Sequence, residues 1–210
     1  MSNILNENNV ILFQGDSITD CGRSKLGDGS SLGNGYVNLV NHYITSNCPE
    51  LNITCINKGV SGNRLKDLKR RWERNTLSLE IDVLSIYIGV NDTWRRYDSG
   101  MVTEPSEFRD NYRYLLDSAR EKFGNIDIVL MSPFILPIMQ PQLEWKEDLN
   151  PKIEIIKELS QEYDTLYVPL QEKFNEQLTI DKPGCYWTRD GVHPTAKGHV
   201  LIAKEWIDII

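Results

Sequence analysis

A three-layer α/β/α domain around a five-stranded parallel sheet is the fold class this sequence predicts, and three observations predict it. Five short, β-rich apolar runs alternate with segments of helical periodicity. The runs are near-continuously apolar, as in strands covered by helices on both faces. The 210 residues show no internal repeat, low-complexity linker or compositional break, so a single domain over 1–210 is expected. Right-handed crossovers leave few topologies, and strand order 2-1-3-4-5 is favoured.

The first strand is Val10–Gln14, followed by a Gly/Ser-rich loop and a helix over Leu32–Ser46. The second strand is Ile53–Asn57, with a helix over Asn63–Leu77 behind it, and the third is Asp82–Ile88. Phe108, Tyr112, Leu115 and Ala119 keep i, i+4, i+7, i+11 spacing, which predicts a helix over Ser106–Phe123. Pro105 suits its first turn. After the fourth strand, Ile126–Ser132, the stretch Met131–Lys146 is too long and apolar for a simple turn. It is expected to line a pocket or an interface. Leu149, Ile153, Ile156, Leu159 and Tyr163 mark the next helix, and Leu166–Val168 the fifth strand. The last helix runs from its cap Thr195 to Ile209, with Ala196, Val200, Ala203 and Ile207 on one face.

The net charge of −7 argues against a nucleic-acid partner, which calls for a basic face. Met1–Asn9 is polar and does not read as a signal peptide, and no run approaches the ~20 apolar residues of a membrane span. A cytoplasmic protein without a membrane partner is expected. Cys21, Cys48, Cys55 and Cys185 form no C-x-x-C pair, so reduced thiols and no metal site are expected. Cys21 is the one close to Ser17.

The chain leaves its first strand on Gly15-Asp16-Ser17-Ile18-Thr19-Asp20, a serine presented between two aspartates. Two readings compete. Asp and Ser cap helix starts, whereas a nucleophilic serine needs a base, an orienting acid and an oxyanion site from elsewhere. Ligands of such sheets bind beyond the carboxyl ends of the strands. Strand 2 is followed there by Lys58-Gly59-Val60-Ser61-Gly62-Asn63, and strand 3 by Gly89-Val90-Asn91-Asp92, which reads as a loop. Asp190-Gly191-Val192-His193-Pro194 precedes the last helix. Of the three histidines, His42 and His199 fall inside helices and suit surface or packing roles. His193 lies in a loop three residues after Asp190, a spacing that lets the carboxylate reach back to the imidazole. An imidazole titrates close enough to neutrality to act as a base. The alternative for this segment is a plain Asp-Gly turn. The Ser17 N–H, the Gly62 N–H and the Asn91 amide are the candidate oxyanion donors. Four loops on one sheet edge thus carry one complete set for acyl transfer, which favours the catalytic reading over four unrelated turns.

Gly15-Asp16-Ser17, Gly62, Asn91 and Asp190-x-x-His193 resemble, in order and over essentially the whole chain, the four blocks of the SGNH (GDSL) hydrolases. The resemblance implies a flavodoxin-like fold and ester hydrolysis without a cofactor. It makes Ser17 the nucleophile, Asp190 and His193 the rest of a triad, and Ser17, Gly62 and Asn91 the oxyanion hole. The stretches "FQGDSITDCGR", "GNGYVNLV", "INKGVSGNRLKDLKRRWE" and "IGVNDTWRRYD" resemble more closely the bacterial intracellular acetylxylan esterases of that superfamily. These deacetylate xylo-oligosaccharides, so an acetylated saccharide is the expected substrate. Trp94, Tyr97, Tyr186 and Trp187 are candidates to stack on pyranose faces, with core packing as the alternative. Where the resembled esterases often carry an aromatic residue directly before the triad Asp, this chain has Arg189. A lysophospholipase or thioesterase with an apolar groove at Met131–Gln142 is the rival enzyme. A non-catalytic carbohydrate-binding protein on the same fold is the rival of another class. The aromatic, Pro-rich loop is compatible with a homo-oligomer.

Overall fold

The computed structural model describes residues 4–25 and 30–210. Part of the Gly/Ser-rich loop after the first strand, residues 26–29, and the first three residues of the polar N-terminal stretch lie outside the described residues. Strands β1 (Val10–Gly15), β2 (Thr54–Asn57), β3 (Val83–Tyr87), β4 (Asp127–Met131) and β5 (Leu166–Val168) form one sheet. Its order is β2-β1-β3-β4-β5 and every pairing is parallel, as expected. β1 therefore lies between its crossovers to β2 and to β3, where a ligand crevice is expected.

Successive side chains of each strand enter opposite layers, which is why the runs had to be apolar throughout. Ile11, Phe13, Val83, Tyr87, Val129 and Met131 pack with helices α2 (Tyr36–Asn47), α7 (Leu170–Glu176) and α9 (Ala196–Ile207). Leu12, Leu84, Ile86, Ile128 and Leu130 pack with α3 (Leu65–Trp72), α5 (Pro105–Phe123) and the second half of α6 (Trp145–Glu162). Each fully buried large side chain contributes about 1.5–3 kcal/mol relative to exposure. Trp72 and Trp206 anchor the two layers and satisfy their ring N–H groups on Ser118 (3.0 Å) and Ser85 (3.1 Å).

Several helices differ from expectation. α2 starts at Tyr36 rather than Leu32, because Gly33 sits at φ +78° and Gly35 is extended. The helix expected to reach Leu77 is α-helical to Trp72 and then widens into a π turn over Glu73–Leu77. Gly89-Val90-Asn91-Asp92 is not a loop: helix α4 (Val90–Ser99) starts directly after Gly89. Its mostly polar sequence hid it, as short lengths hid α1 (Ser17–Asp20), α7 and α8 (Gly184–Trp187). The face expected of α9 is also corrected. Ala196 and Val200 are exposed, while Gly198, His199, Ile202, Ala203 and Trp206 are buried. Gly198 sets this rotation, since a Cβ there would lie 2.4 Å from the Trp187 carbonyl oxygen. Thr195 caps the helix as expected, accepting from Gly198 N–H.

The stretch Met131–Lys146 turns inward. Phe134, Ile135 and Leu136 are buried, and only Met139 and Leu143 among its large apolar residues are exposed. No described helix is long and apolar enough to cross a membrane.

α4 brings a carboxylate inside. Asp92 is fully buried, accepts from Leu65 N–H at 2.8 Å, and senses the buried Lys152 ammonium. Burial raises its carboxyl to about 7, against the opposing pull of Leu65 N–H, Lys152, Thr103 and Arg64. Its ordinary value is 3.8, so between the two values the folded chain holds a proton that the unfolded chain has released. This contribution favours the fold at low pH and fades as pH rises through that window. The Tm of the protein relative to Asp92→Asn is therefore expected to fall between about pH 4 and pH 7. Parallel Tm–pH curves for the two proteins would refute this assignment.

Candidate active site

The β1 exit is built by close approach. Gly15 pairs with Tyr87, and a Cβ on it would sit 2.2 Å from Thr19 Oγ1 and 2.5 Å from the Tyr87 carbonyl oxygen. Directly after it, Asp16 caps the one-turn helix α1 by accepting from Ile18 N–H at 3.0 Å. The two readings of "GDSITD" therefore divide between two residues. Asp16 is the cap, which leaves the half-buried Ser17 hydroxyl free to face His193 Nε2 at 2.9 Å.

His193 is held from behind. Asp190 Oδ2 lies 2.6 Å from His193 Nδ1, while Asp190 Oδ1 accepts the backbone N–H groups of Val192 (3.0 Å) and His193 (2.8 Å). Partial burial raises the Asp190 carboxyl, but the His193 ring and these two backbone donors outweigh it and hold the acid below its ordinary range. An ionised Asp190 accepts from Nδ1–H, which leaves Nε2 as the acceptor facing Ser17. The loop is braced by the inward-turned stretch before α6. Gln142 Nε2 donates to Asp190 O at 2.5 Å, and Leu136 N–H donates to Gly191 O at 2.9 Å. Gln142 had no role assigned from the sequence. Its signal is a polar side chain, only 2% exposed, in an apolar segment.

The other two clusters arrive at the same edge. Val60 N–H donates to Gly15 O (3.0 Å), and Asn63 N–H to Val60 O (3.1 Å), closing the turn that holds Gly62. Gly62 has φ +79° with open space where a Cβ would be, so the backbone conformation, not crowding, calls for glycine. Asn91, in the first turn of α4, is buried. Its amide donates to Asn63 O (3.1 Å) and, at 3.3 Å, to Asp16 Oδ2. Burial raises the Asp16 carboxyl to about 6, against Ile18 N–H and the His193 and Arg71 charges.

A cavity of about 360 Å³ opens on Ser17 and His193 and is lined also by Cys21, Asn34, Arg189 and His199. A larger one, about 460 Å³, lies at the opposite, amino end of the strands beside Asp127 and Leu166, away from the serine–histidine pair. Cys21 Sγ is 3.4 Å from His199 Nε2, and His199 Nδ1 accepts from Tyr36 N–H at 3.2 Å. His199 thus carries its proton on Nε2 and donates toward sulfur. Burial lowers its pKa to about 4 and raises the Cys21 thiol, both of which favour the neutral pair. His42 is exposed on α2.

The four aromatic candidates separate. Trp94 lies 5.6 Å, centroid to centroid, from the His193 ring and 5.5 Å from Trp145. Tyr97 stacks on Trp145 at 5.4 Å and donates its hydroxyl to Glu144 O. Trp145, unassigned from the sequence, is thus the centre of this cluster. Tyr186 packs edge-on to Trp187. Trp187 is corrected: it is 7% exposed and lies edge-on to Phe174, because α8 tucks it under α9, and it has no free face for a sugar.

The sequence pattern of the GDSL-like lipase/acylhydrolase family matches residues 13–201. An acetylxylan esterase of Geobacillus stearothermophilus is 37% identical over 203 residues, covering 94% of this chain and 91% of that protein. A crystal structure from Parabacteroides merdae, assigned to the GDSL-like lipases, superposes with a TM-score of 0.92 at 35% identity, covering 98% of this chain and 96% of that one. A crystal structure of a Geobacillus stearothermophilus acetylxylan esterase gives 0.87 at 33% identity, with 97% and 94% covered.

Proposed function

The chain belongs to the GDSL-like lipase/acylhydrolase family and is a carboxylic-ester hydrolase, and from that premise we propose that it deacetylates xylo-oligosaccharides or related carbohydrates through Ser17, His193 and Asp190. The observation that carries this reading is the hydrogen-bonded chain from Ser17 Oγ through the His193 ring to Asp190. The 37% identity to an acetylxylan esterase and the Trp94–Trp145–Tyr97 cluster next to His193 support the carbohydrate acetyl ester.

His193 Nε2 takes the Ser17 proton as Oγ attacks the acetyl carbon. The oxygen that gains charge is held by the Ser17 and Gly62 N–H groups and by the Asn91 amide. Asp190 stabilises the imidazolium. His193 then protonates the departing sugar oxygen, and the C–O bond of the ester breaks. A water deprotonated by the same Nε2 attacks the acetyl-serine and releases acetate, restoring the Ser17 hydroxyl. For Asn91 to serve, its amide turns one N–H from Asp16 toward the oxyanion. That Asp16 contact, at 3.3 Å, is the longer of its two.

An apolar acyl groove is not supported by the stretch from Met131 to Gln142, whose Phe134, Ile135 and Leu136 are buried in the core. The test is acetate release from acetylated xylo-oligosaccharides beside hydrolysis of 4-nitrophenyl acetate and 4-nitrophenyl octanoate. Deacetylation of the sugar with little octanoate turnover is expected. Octanoate preference without sugar deacetylation would move the substrate to lipids or thioesters.

A further inference from the structure

Arg71, on α3, is half-buried, and all three of its described hydrogen bonds go to neutral oxygens rather than to a carboxylate. Its Nε donates to Asn63 Oδ1 at 2.7 Å, Nη1 to Gln14 Oε1 at 2.6 Å and Nη2 to the Gly15 carbonyl at 3.0 Å. Each of these acceptors leads to the reaction centre. Gly15 stands two residues before Ser17, and its carbonyl also accepts from Val60 N–H. Asn63 directly follows Gly62, and its carbonyl receives the Asn91 amide. Gln14 anchors the group: it is fully buried and donates to both Asn75 O and Thr76 Oγ1 at 2.8 Å.

We propose that Arg71 is a positioning residue for the oxyanion site, its guanidinium fixing the spacing of the Ser17 N–H, the Gly62 N–H and the Asn91 amide. The inference rests on the acyl-transfer reading above. A planar fork with donors in three directions ties three separate segments, β1, the Gly62 turn and through it α4, into one frame. A lysine ammonium at the same place offers one point charge and cannot span them. Because these donors act on a charge that develops only during the reaction, a small misplacement lowers kcat more than it weakens substrate binding.

The experiment is steady-state hydrolysis of 4-nitrophenyl acetate by wild type, Arg71→Ala, Arg71→Lys and Asn63→Ala, each titrated to its endpoint with a fluorophosphonate to count reactive serines. Arg71→Ala is expected to lose roughly 10–100-fold in kcat, approaching the loss of one oxyanion donor. KM should stay within about 3-fold, and one serine per chain should still titrate. Arg71→Lys is expected to recover only a part, and guanidinium ion added to Arg71→Ala to raise kcat. Unchanged kcat in Arg71→Ala, or a loss that matches the fraction of serines lost to titration, overturns the proposal. If Arg71→Ala does not fold, Asn63→Ala decides: it removes the Nε acceptor and keeps the guanidinium, and unchanged kcat there overturns the proposal equally. A wild-type protein that turns over no ester would instead overturn the acyl-transfer reading itself, and this inference with it.

Discussion

Ser17→Ala is expected to lower kcat on acetyl esters by about 10⁶-fold, the scale on which a serine–histidine pair loses its nucleophile. The remaining rate would come from the oxyanion donors and substrate binding. Folding should be nearly untouched. The Ser17 hydroxyl makes one side-chain hydrogen bond, to His193, and the α1 cap belongs to Asp16. A Tm close to wild type, together with a lost burst of 4-nitrophenol, would therefore place the defect in chemistry. Adding His193→Ala to Ser17→Ala should cost little more, because the two act as a unit. Full activity in Ser17→Ala would end the serine-esterase mechanism.

Asp190→Asn is expected to lower kcat by roughly 10⁴-fold with the loop intact. Asp190 uses its two oxygens for different tasks: Oδ1 holds the turn through Val192 and His193 N–H, and Oδ2 faces His193 Nδ1. An asparagine that keeps its oxygen toward the backbone presents an NH₂ group to Nδ1. The ring then accepts there and carries its proton on Nε2, so it meets Ser17 as a donor and cannot take the serine proton. The sign of the acid's own titration agrees with this role. Asp190 is held below its ordinary range by donors present only in the fold, so its stabilising contribution is complete at neutral pH and is lost as pH falls through the lowered value. NMR of the imidazole nitrogens would report the tautomer directly. A wild-type tautomer with near wild-type kcat in Asp190→Asn would remove Asp190 from the mechanism.

The sheet was legible because parallel strands buried on both faces need unbroken apolar runs, and Val10–Gln14 and Asp82–Ile88 leave little alternative. The candidate set Ser17, Gly62, Asn91, Asp190 and His193 could be picked out because each residue follows a strand or precedes a helix at one edge. What periodicity does not encode is the long-range polar contact. Arg71 reads as one of several cations on a helix, and only the fold shows it reaching Gln14, Gly15 and Asn63. Trp145 looks like any aromatic at the end of an apolar loop until α4 lays Trp94 and Tyr97 against it. Trp187 failed as a sugar platform for the complementary reason: a one-turn helix gives no periodic signal of which side is buried. α9 was misjudged because small apolar residues marked a face that Gly198 and Trp206 then overruled.

Ser17 and His193 are 176 residues apart in the chain yet share a hydrogen bond. The proposed nucleophile and oxyanion donors all come from the first half of the sequence, while the proposed base and its acid come from the last tenth, just before α9 docks against α2. During synthesis on a ribosome, a growing chain therefore displays Ser17 and its turn long before anything exists to activate them. In the proposed mechanism hydrolysis begins only when this long-range contact closes, which loop-closure entropy makes a late event. Ester turnover is for that reason a stricter reporter of completed folding in this protein than helix or sheet content, both of which rise while the serine is still inert.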